Sequence, residues 1–158
     1  MNKKQLLAQL LIALGNVHKN AINAAQRAHD TATDNENIAE NKYDTLALEA
    51  AYLAQGQSVR VEQCFEDIQA FKSLSGNISY NKVSLGALVL LLDDQDNKKW
   101  LFFGPTAGGL KLFFEDKSIV VVTANSPLGQ SIEHAQVGHE VSVNIAGNLI
   151  HYEVMEIY

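Results

Sequence analysis

The sequence lacks the features that disulfide-stabilised, membrane-spanning and nucleic-acid-binding proteins need. Its single cysteine, Cys64, leaves no internal disulfide to form, so a reducing, cytoplasmic location is expected. No apolar run approaches the roughly 18 residues of a transmembrane helix, so no membrane partner is expected. Lys and Arg number 12 against 18 Asp and Glu, a net charge of −6, which disfavours a protein that mainly holds nucleic acid by its phosphates.

Proline and glycine are scarce in the first half of the chain. Both prolines, and every glycine except Gly15 and Gly56, follow Ser75. Alanine, leucine, glutamine and glutamate dominate before that point, and runs rich in Val, Ile, Leu and Phe follow it. We therefore predict an α+β protein with two domains, a helical one over residues 1–76 and a mostly β one over residues 77–158.

Apolar residues in the first half recur at spacings of three and four, which predicts two amphipathic helices. The stripes contain Leu6, Leu7, Leu10, Leu11, Leu14, Val17, Ala21, Ala24, Ala25 and Ala28, and then Ala47, Ala50, Ala51, Ala54, Val61, Phe65, Ile68 and Phe71. Large residues lie at the outer ends and alanines toward the middle. Pairing Ala21–Ala28 with Ala47–Ala54 predicts an antiparallel hairpin (coiled coil) with its turn near Glu36 and Asn37.

A hairpin of this length is expected to reach beyond a small domain. A helix over residues 3–29 would span about 40 Å, whereas a compact domain of the remaining size has a radius of gyration of about 12 Å. Alanines let the helices approach closely, so the far end should be thin. Such an arm suits entry into a hole or groove of another molecule, and the alternative is a coiled coil through which two copies dimerise.

The second half divides into short strands at turn signals. The strands are predicted over 83–93, 99–103, 110–114, 119–123, 140–145 and 149–157. Ser126 is expected to cap a short helix that has Pro127 at its first position. The turn Ala146-Gly147-Asn148 predicts a closing hairpin. A small, mainly antiparallel sheet with one short helix follows.

Acidic residues concentrate where the helical hairpin folds back. Between Ala28 and Val59 the acids are Asp30, Asp34, Glu36, Glu40, Asp44 and Glu49, and the only base is Lys42. One interpretation is a solvated helix end, where acids near a helix N-terminus are favoured by the helix dipole. The other is that carboxylates at a tip complete a Mg²⁺ site of another molecule, since Mg²⁺ needs only one or two protein carboxylates beside waters and phosphates.

No self-contained active site is visible in the sequence. The segment from Gly104 to Lys111 lacks the Gly-Lys-Ser/Thr of a phosphate loop, and Asp94-Gln95-Asp96 lacks the rest of a calcium loop, so a solvated turn is expected there. The histidines and Cys64 have no zinc spacing. We expect no cofactor and no metal in the isolated protein.

The second half contains an ordered series of short motifs. They are Val89–Asp93 with the acidic turn Asp94-Gln95-Asp96, Trp100–Phe103 with Gly104-Pro105, Ile119–Thr123, Asn125–Gly129, Val137–Val141 and Tyr152–Ile157. In this series the second half resembles the C-terminal domain of the Gre transcript-cleavage factors, GreA and GreB. The chain length and the order of hairpin and sheet are similar as well.

The resemblance implies an FKBP-like second domain and a bacterial transcription elongation factor. Such factors dock at the mouth of the secondary channel of RNA polymerase, here through Ser126, Pro127, Leu128 and Gly129. The coiled coil passes down the channel, where the tip carboxylates Glu40, Glu36, Asp34 and Asp44 would share the polymerase's Mg²⁺. The polymerase then cleaves its own backtracked RNA at the 3′ end. The factor would be a monomeric accessory protein and not itself an enzyme.

The tip departs from the family pattern, which leaves a second function open. The family reads Asp-x-x-Glu-Asn, whereas this chain reads Asn37-Ile-Ala-Glu40-Asn41, and an alternative alignment gives Asn41 and Asp44. The alternative is a non-cleaving regulator that occupies the secondary channel and competes with Gre factors. An FKBP-like prolyl isomerase or peptide-binding module is a third possibility.

Overall fold

The computed structural model describes residues 2–33, 45–76 and 80–158, and for Ile145 the backbone only. The chain forms two compact units. One comprises Met1–Leu11 with Ala70–Tyr158, and the other comprises Ile12–Gln69. The predicted domain boundary at residues 76 and 77 stays a prediction, because residue 77 lies outside the described residues.

Two long helices precede a six-stranded sheet that carries one short helix. The elements are α1 (Lys3–Thr33), α2 (Leu46–Lys72), β1 (Leu88–Asp93), β2 (Lys98–Phe103), β3 (Lys111–Phe114), β4 (Lys117–Val122), α3 (Pro127–Ile132), β5 (Glu140–Ile145) and β6 (Asn148–Ile157). The predicted α+β class, with a helical hairpin first and a mainly antiparallel sheet second, is confirmed.

The strand order across the sheet is β3-β4-β2-β1-β6-β5. Neighbouring strands are antiparallel except β2 and β4, which run parallel with Trp100 beside Ile119. The parallel pair arises because the chain after β2 first forms the edge strand β3, one strand position away from β2. The strand β4 then returns between β3 and β2. No local pattern in the sequence predicted this crossover.

The first strand begins at Leu88 and not at Val83 as predicted. Gly86 adopts φ +87°, and the Ala87 N–H donates to the Ser84 carbonyl at 2.9 Å, so a tight turn precedes the strand. The predicted closing hairpin is confirmed. Ala146 and Gly147 both have positive φ, which is the backbone of a two-residue hairpin turn that matches the strand twist.

Both faces of the central strands are buried within the larger unit. One face forms a core with α3, built from residues such as Val89, Leu101, Phe103, Ile132 and Val154. On the opposite face the Phe71 ring stacks on Phe102 with ring centroids 5.9 Å apart, so the end of α2 covers this side. Strands covered on both sides read as continuous apolar runs, as Leu88–Leu92 does.

The two long helices of the smaller unit pack through a heptad seam, at alternating spacings of three and four. We call these residues the seam: Leu14, Val17, Ala21, Ala24 and Ala28 in α1, and Ala47, Ala50, Ala54, Gln57, Val61, Cys64 and Ile68 in α2. Toward the far ends of both helices the seam is mostly alanine, as predicted. Alanine seams allow a short distance between helix axes.

The predicted stripe of α2 was wrong at two positions, Ala51 and Phe65, which are both exposed, and the predicted register was wrong. Cys64 is 6% exposed and lies in the seam, whereas Phe65 is 52% exposed and flanks it. The Phe65 ring lies 6.2 Å from that of His18, and His29 shares a groove with Ala54. The prediction placed Ala21 opposite Ala54, so the register is shifted by about two helical turns. Alanine positions along the two helices present nearly identical surfaces, so matching side-chain volumes alone did not determine the register.

Candidate functional site

The segment Ser126–Gly129 begins α3, as the sequence predicted. The Ser126 hydroxyl accepts a hydrogen bond from the Gly129 N–H at 3.0 Å and donates one to the Thr123 carbonyl at 2.8 Å. Pro127 occupies the first helical turn, where its missing N–H costs no hydrogen bond. The segment is therefore a corner held by the two hydrogen bonds of the Ser126 hydroxyl.

Gly129 has a structural role at this corner. A Cβ built on Gly129 would overlap the Thr123 carbonyl oxygen and lie 2.7 Å from its carbon and 2.8 Å from Ser126 Oγ. No side chain fits at that distance, so glycine is needed for the helix to approach the end of β4. Of the four residues that the resemblance implies for polymerase binding, Ser126 and Gly129 thus build the corner.

Pro127 and Leu128 line a shallow apolar groove, which we call the docking groove. It has a volume of about 270 Å³ and is lined by Gly108, Gly109, Val120, Val121, Val122, Ser126, Pro127 and Leu128. Its wall is almost entirely carbon, so it would accept an aliphatic or aromatic side chain. The sequence pointed to only the last three of these residues, because the loop before β3 and the strand β4 are brought there by the crossover.

The edge strand β3 contributes two side chains on the same side of the sheet as Val120 of the docking groove. Lys111 pairs with Val120 in the β3–β4 ladder, so Lys111 and Phe113 lie on the same side of the sheet as Val120. Phe113 is 72% exposed, the most exposed large apolar side chain of the described residues.

The loop after β2 closes one end of the docking groove. Gly109 has φ +90°, and its N–H donates to the Val121 carbonyl at 2.8 Å, which fixes the loop against β4. Gly104 is equally constrained, because an added Cβ would lie 2.8 Å from Val121 and 2.9 Å from the Phe71 ring. The phosphate-loop likeness of this segment therefore has a packing explanation.

The predicted tip carboxylates Asp34, Glu36, Glu40 and Asp44 lie outside the described residues, as does Asn37. The flanking acids of the cluster are described. Asp30 accepts a hydrogen bond from Gln26 at 2.7 Å, and Glu49 accepts one from the Thr45 hydroxyl at 2.8 Å. Both flanking acids are thus engaged in local helix-end hydrogen bonds.

A second group of carboxylates lies at the opposite end of the sheet from the docking groove. A hollow of about 290 Å³ there is lined by Leu92, Asp93, Asp94, Asp96, Glu140, His151, Tyr152 and Glu153. Residues 2–33, 45–76 and 80–158 contain no group of three or more His, Cys, Asp or Glu able to hold a metal ion. No sequence pattern connects these residues, since only β-pairing brings β5 and β6 beside the turn after β1.

The turn after β1 is organised by Asp93, in agreement with the expected solvated turn. Its carboxylate accepts the N–H groups of Gln95 at 2.9 Å and Asn97 at 2.8 Å. The backbone hydrogen bond from Asn97 is the main reason that the pKa of Asp93 is lowered from 3.8. Asp96 takes the left-handed conformation that closes the turn.

Comparison with known proteins gives structural likenesses only. No protein-family model matches the chain, and no curated protein does. The GreA factor homolog 1 (Gfh1) of Thermus thermophilus is 19% identical, with 98% of this chain and 93% of that one covered and a TM-score of 0.40. Gfh1 of Thermus aquaticus is 17% identical, with 99% and 94% covered and a TM-score of 0.42.

A third solved structure carries both family names. The prokaryotic transcription elongation factor GreA/GreB from Nitrosomonas europaea is 11% identical, with 70% of this chain and 91% of that one covered and a TM-score of 0.37. These are Gre-family factors, the family that the sequence motifs resemble. In the described part of the chain, no helix is long and apolar enough to cross a membrane.

Proposed function

We propose that the chain is a Gre-like transcription elongation factor that binds bacterial RNA polymerase in the cytoplasm and inserts its helical hairpin into the secondary channel. The observation that carries the proposal is the hairpin itself, two long helices that pack through a seam whose far part is mostly alanine. Such a hairpin is thin enough to enter a narrow opening. The Gre-like motifs of the second half and the capped corner at Ser126 support the same function.

Docking would use the docking groove beside α3. Pro127 is exposed, whereas Ser126 and Gly129 are used to build the corner. An apolar side chain of the polymerase would enter the groove, and a carboxylate beside it would pair with Lys111. Phe113 would extend the apolar contact along the edge strand.

At the channel's inner end, Glu40 and one of Asp34, Glu36 or Asp44 would approach the catalytic Mg²⁺ of the polymerase. A carboxylate there would share the metal and orient the attacking water, so that the polymerase cleaves its backtracked RNA near the 3′ end. The protein would bind no metal by itself and would act as an accessory factor. Asn37, where the family has an acid, favours the second candidate, a factor that occupies the channel without cleavage.

The test is an RNA cleavage assay on stalled, backtracked polymerase complexes with the wild-type chain, Glu40→Gln and Glu49→Gln. Glu49 is the matched control, because its carboxylate is engaged by Thr45 just before the start of its own helix. Shortening of the RNA that Glu40→Gln abolishes and Glu49→Gln retains supports the cleaving function. Binding without shortening refutes that function in favour of the non-cleaving one, and absence of binding refutes both.

A further inference from the structure

The loop between β2 and β3 is fixed at both of its ends. The Gly104 N–H donates to the Val122 carbonyl at 2.8 Å, and the Gly109 N–H donates to the Val121 carbonyl at the same distance. Between these anchors lie residues 105–108, which we call the strap. Within the part of the chain that the structure describes, the strap takes part in one hydrogen bond, which the Ala107 carbonyl accepts from the Leu110 N–H at 3.1 Å. The middle of the loop is therefore held much less than its ends.

The strap contains a buried hydroxyl group that has no partner. Thr106 Oγ1 is shielded from solvent and has no hydrogen-bond partner among residues 2–33, 45–76 and 80–158. No other buried side-chain oxygen or nitrogen in those residues is in this position. A hydroxyl that leaves water without gaining a new partner lowers stability, and most native hydroxyls avoid this cost. The observed conformation of the strap therefore carries a penalty at Thr106.

The backbone of the strap carries a second penalty, at Ala107. Ala107 has φ +56°, in the left-handed region that glycine adopts freely and that a Cβ disfavours. The next residue, Gly108, is not left-handed, and a Cβ there would meet Thr123 at 3.4 Å, an ordinary contact. Alanine thus occupies the position that suits glycine, and glycine the one that would accept alanine. The order Ala107-Gly108 suits a backbone in which Gly108 is the left-handed residue.

The strap adjoins the docking groove. Gly108 and Gly109 form one part of the groove's lining, and Pro127 and Leu128 form another. Gly108 is exposed, so a side chain that enters the groove would touch the strap directly. A partner can therefore distinguish between two conformations of the strap, which is the condition for shifting the balance between them.

We propose that the strap is a two-state element that changes conformation when a partner occupies the docking groove. In the second conformation the Thr106 hydroxyl leaves its buried position and binds water or a polar group of the partner. The left-handed backbone position passes from Ala107 to Gly108. The anchoring hydrogen bonds of Gly104 and Gly109 to β4 are kept, so the change is confined to four residues.

The energetics favour such a change. Because the first conformation carries the unpaired hydroxyl and the left-handed alanine, the second conformation lies close to it in free energy. A small difference in a partner's affinity for the two conformations then suffices to shift the population. The inference rests on the proposed function in one respect, since RNA polymerase is taken as the partner that occupies the groove.

The first test is a titration of RNA polymerase with the full chain, comparing the wild type with Ala107→Gly and Thr106→Val. Ala107→Gly removes the backbone penalty from the unbound conformation only, so binding should weaken about fivefold. Thr106→Val keeps the shape of the side chain and removes the unpaired hydroxyl, so it should also weaken binding about fivefold. Both variants make the unbound conformation more stable, and this is why they should bind less well.

Two matched variants serve as controls. Ala146 is also a left-handed alanine, with φ +51°, but it lies in the turn between β5 and β6 and does not line the docking groove. Ala146→Gly should therefore leave the affinity for polymerase unchanged. Thr106→Ser keeps the hydroxyl and should stay within about twofold of the wild type. Circular dichroism checks that all four variants keep the wild-type fold.

Three outcomes of the titration would overturn the two-state strap. One is an equal affinity of the wild type, Ala107→Gly and Thr106→Val, which would mean that the strap keeps its conformation in the complex. Another is tighter binding by these variants, because the observed conformation would then be the one that binds. The third is equal weakening by Ala107→Gly and Ala146→Gly.

A wild-type chain that does not bind polymerase would refute the proposed function, and the strap is then tested without a partner. The measurement is NMR relaxation dispersion at the amides of Gly108 and Gly109, which detects exchange on the microsecond-to-millisecond timescale. We expect exchange in the wild type that Ala107→Gly suppresses and Ala146→Gly retains. A flat profile in the wild type, or exchange that Ala107→Gly leaves unchanged, would overturn the inference.

Discussion

Replacing Gly129 by alanine tests whether this glycine is needed for packing at the start of α3. The added Cβ would lie 2.7 Å from the Thr123 carbonyl carbon and closer still to its oxygen, so Thr123 would have to move by roughly an ångström. That movement would disturb the hydrogen bonds that the Thr123 carbonyl accepts from the Ser126 N–H at 2.9 Å and the Ser126 hydroxyl at 2.8 Å.

The expected loss follows from these contacts. Overpacking of a tight site costs about 1–3 kcal/mol, and each disturbed hydrogen bond adds about 1 kcal/mol. Gly129→Ala should therefore lower the free energy of unfolding by about 3–5 kcal/mol. Gly129 has no positive φ, so the loss would come from the clash and not from backbone strain.

The assay is urea unfolding followed by circular dichroism, with Ser126→Ala as the comparison. That variant removes the cap without adding volume and should cost about 1–2 kcal/mol. The m-value should stay unchanged in both variants if unfolding exposes the same surface. A loss below about 1 kcal/mol for Gly129→Ala would refute the packing argument.

Four further results are expected. Gly56→Ala should raise the free energy of unfolding by about 0.5–1 kcal/mol in thermal or urea unfolding, since its Cβ would meet nothing, and a loss would show a contact there. Phe71→Ala should cost about 3–5 kcal/mol, because Phe71 is buried against Phe102, and a loss under about 1 kcal/mol would show that α2 does not stabilise the sheet. The folded-state pKa of Asp93 is lowered, so its contribution to stability is present above pH 3.8 and is lost as the pH falls through the folded pKa. In Asp93→Asn the midpoint of urea unfolding should therefore depend less on pH in that range than it does in the wild type. An equal pH dependence in the two proteins would contradict this. Pro127→Glu should weaken polymerase binding about tenfold in a titration, whereas Gln130→Glu on the same helix should not, and equal effects would exclude the docking groove.

The docking groove shows which parts of a site a sequence can specify. Ser126 and Pro127 follow capping rules that act within four residues, so the corner was predictable. Gly108 and Gly109 join it only because the loop before β3 crosses over β4, and no local pattern encodes that crossover. The parallel pairing of β2 and β4 was missed for the same reason.

The helical hairpin shows the same limit. Spacings of three and four predicted both helices and their apolar stripes, because the helical period is a local property of the backbone. Whether Cys64 or Phe65 enters the seam depends on the register between the helices, which is chosen by packing along their whole length.

The sequence by itself determined the α+β class, the order of hairpin and sheet, the alanine-rich seam and the caps and turns, because each depends on propensity, period or hydrogen bonds between near neighbours. Only the tertiary structure decided the helix register and the crossover to the edge strand. These depend on which distant surfaces bury one another, and burial is a property of the assembled chain.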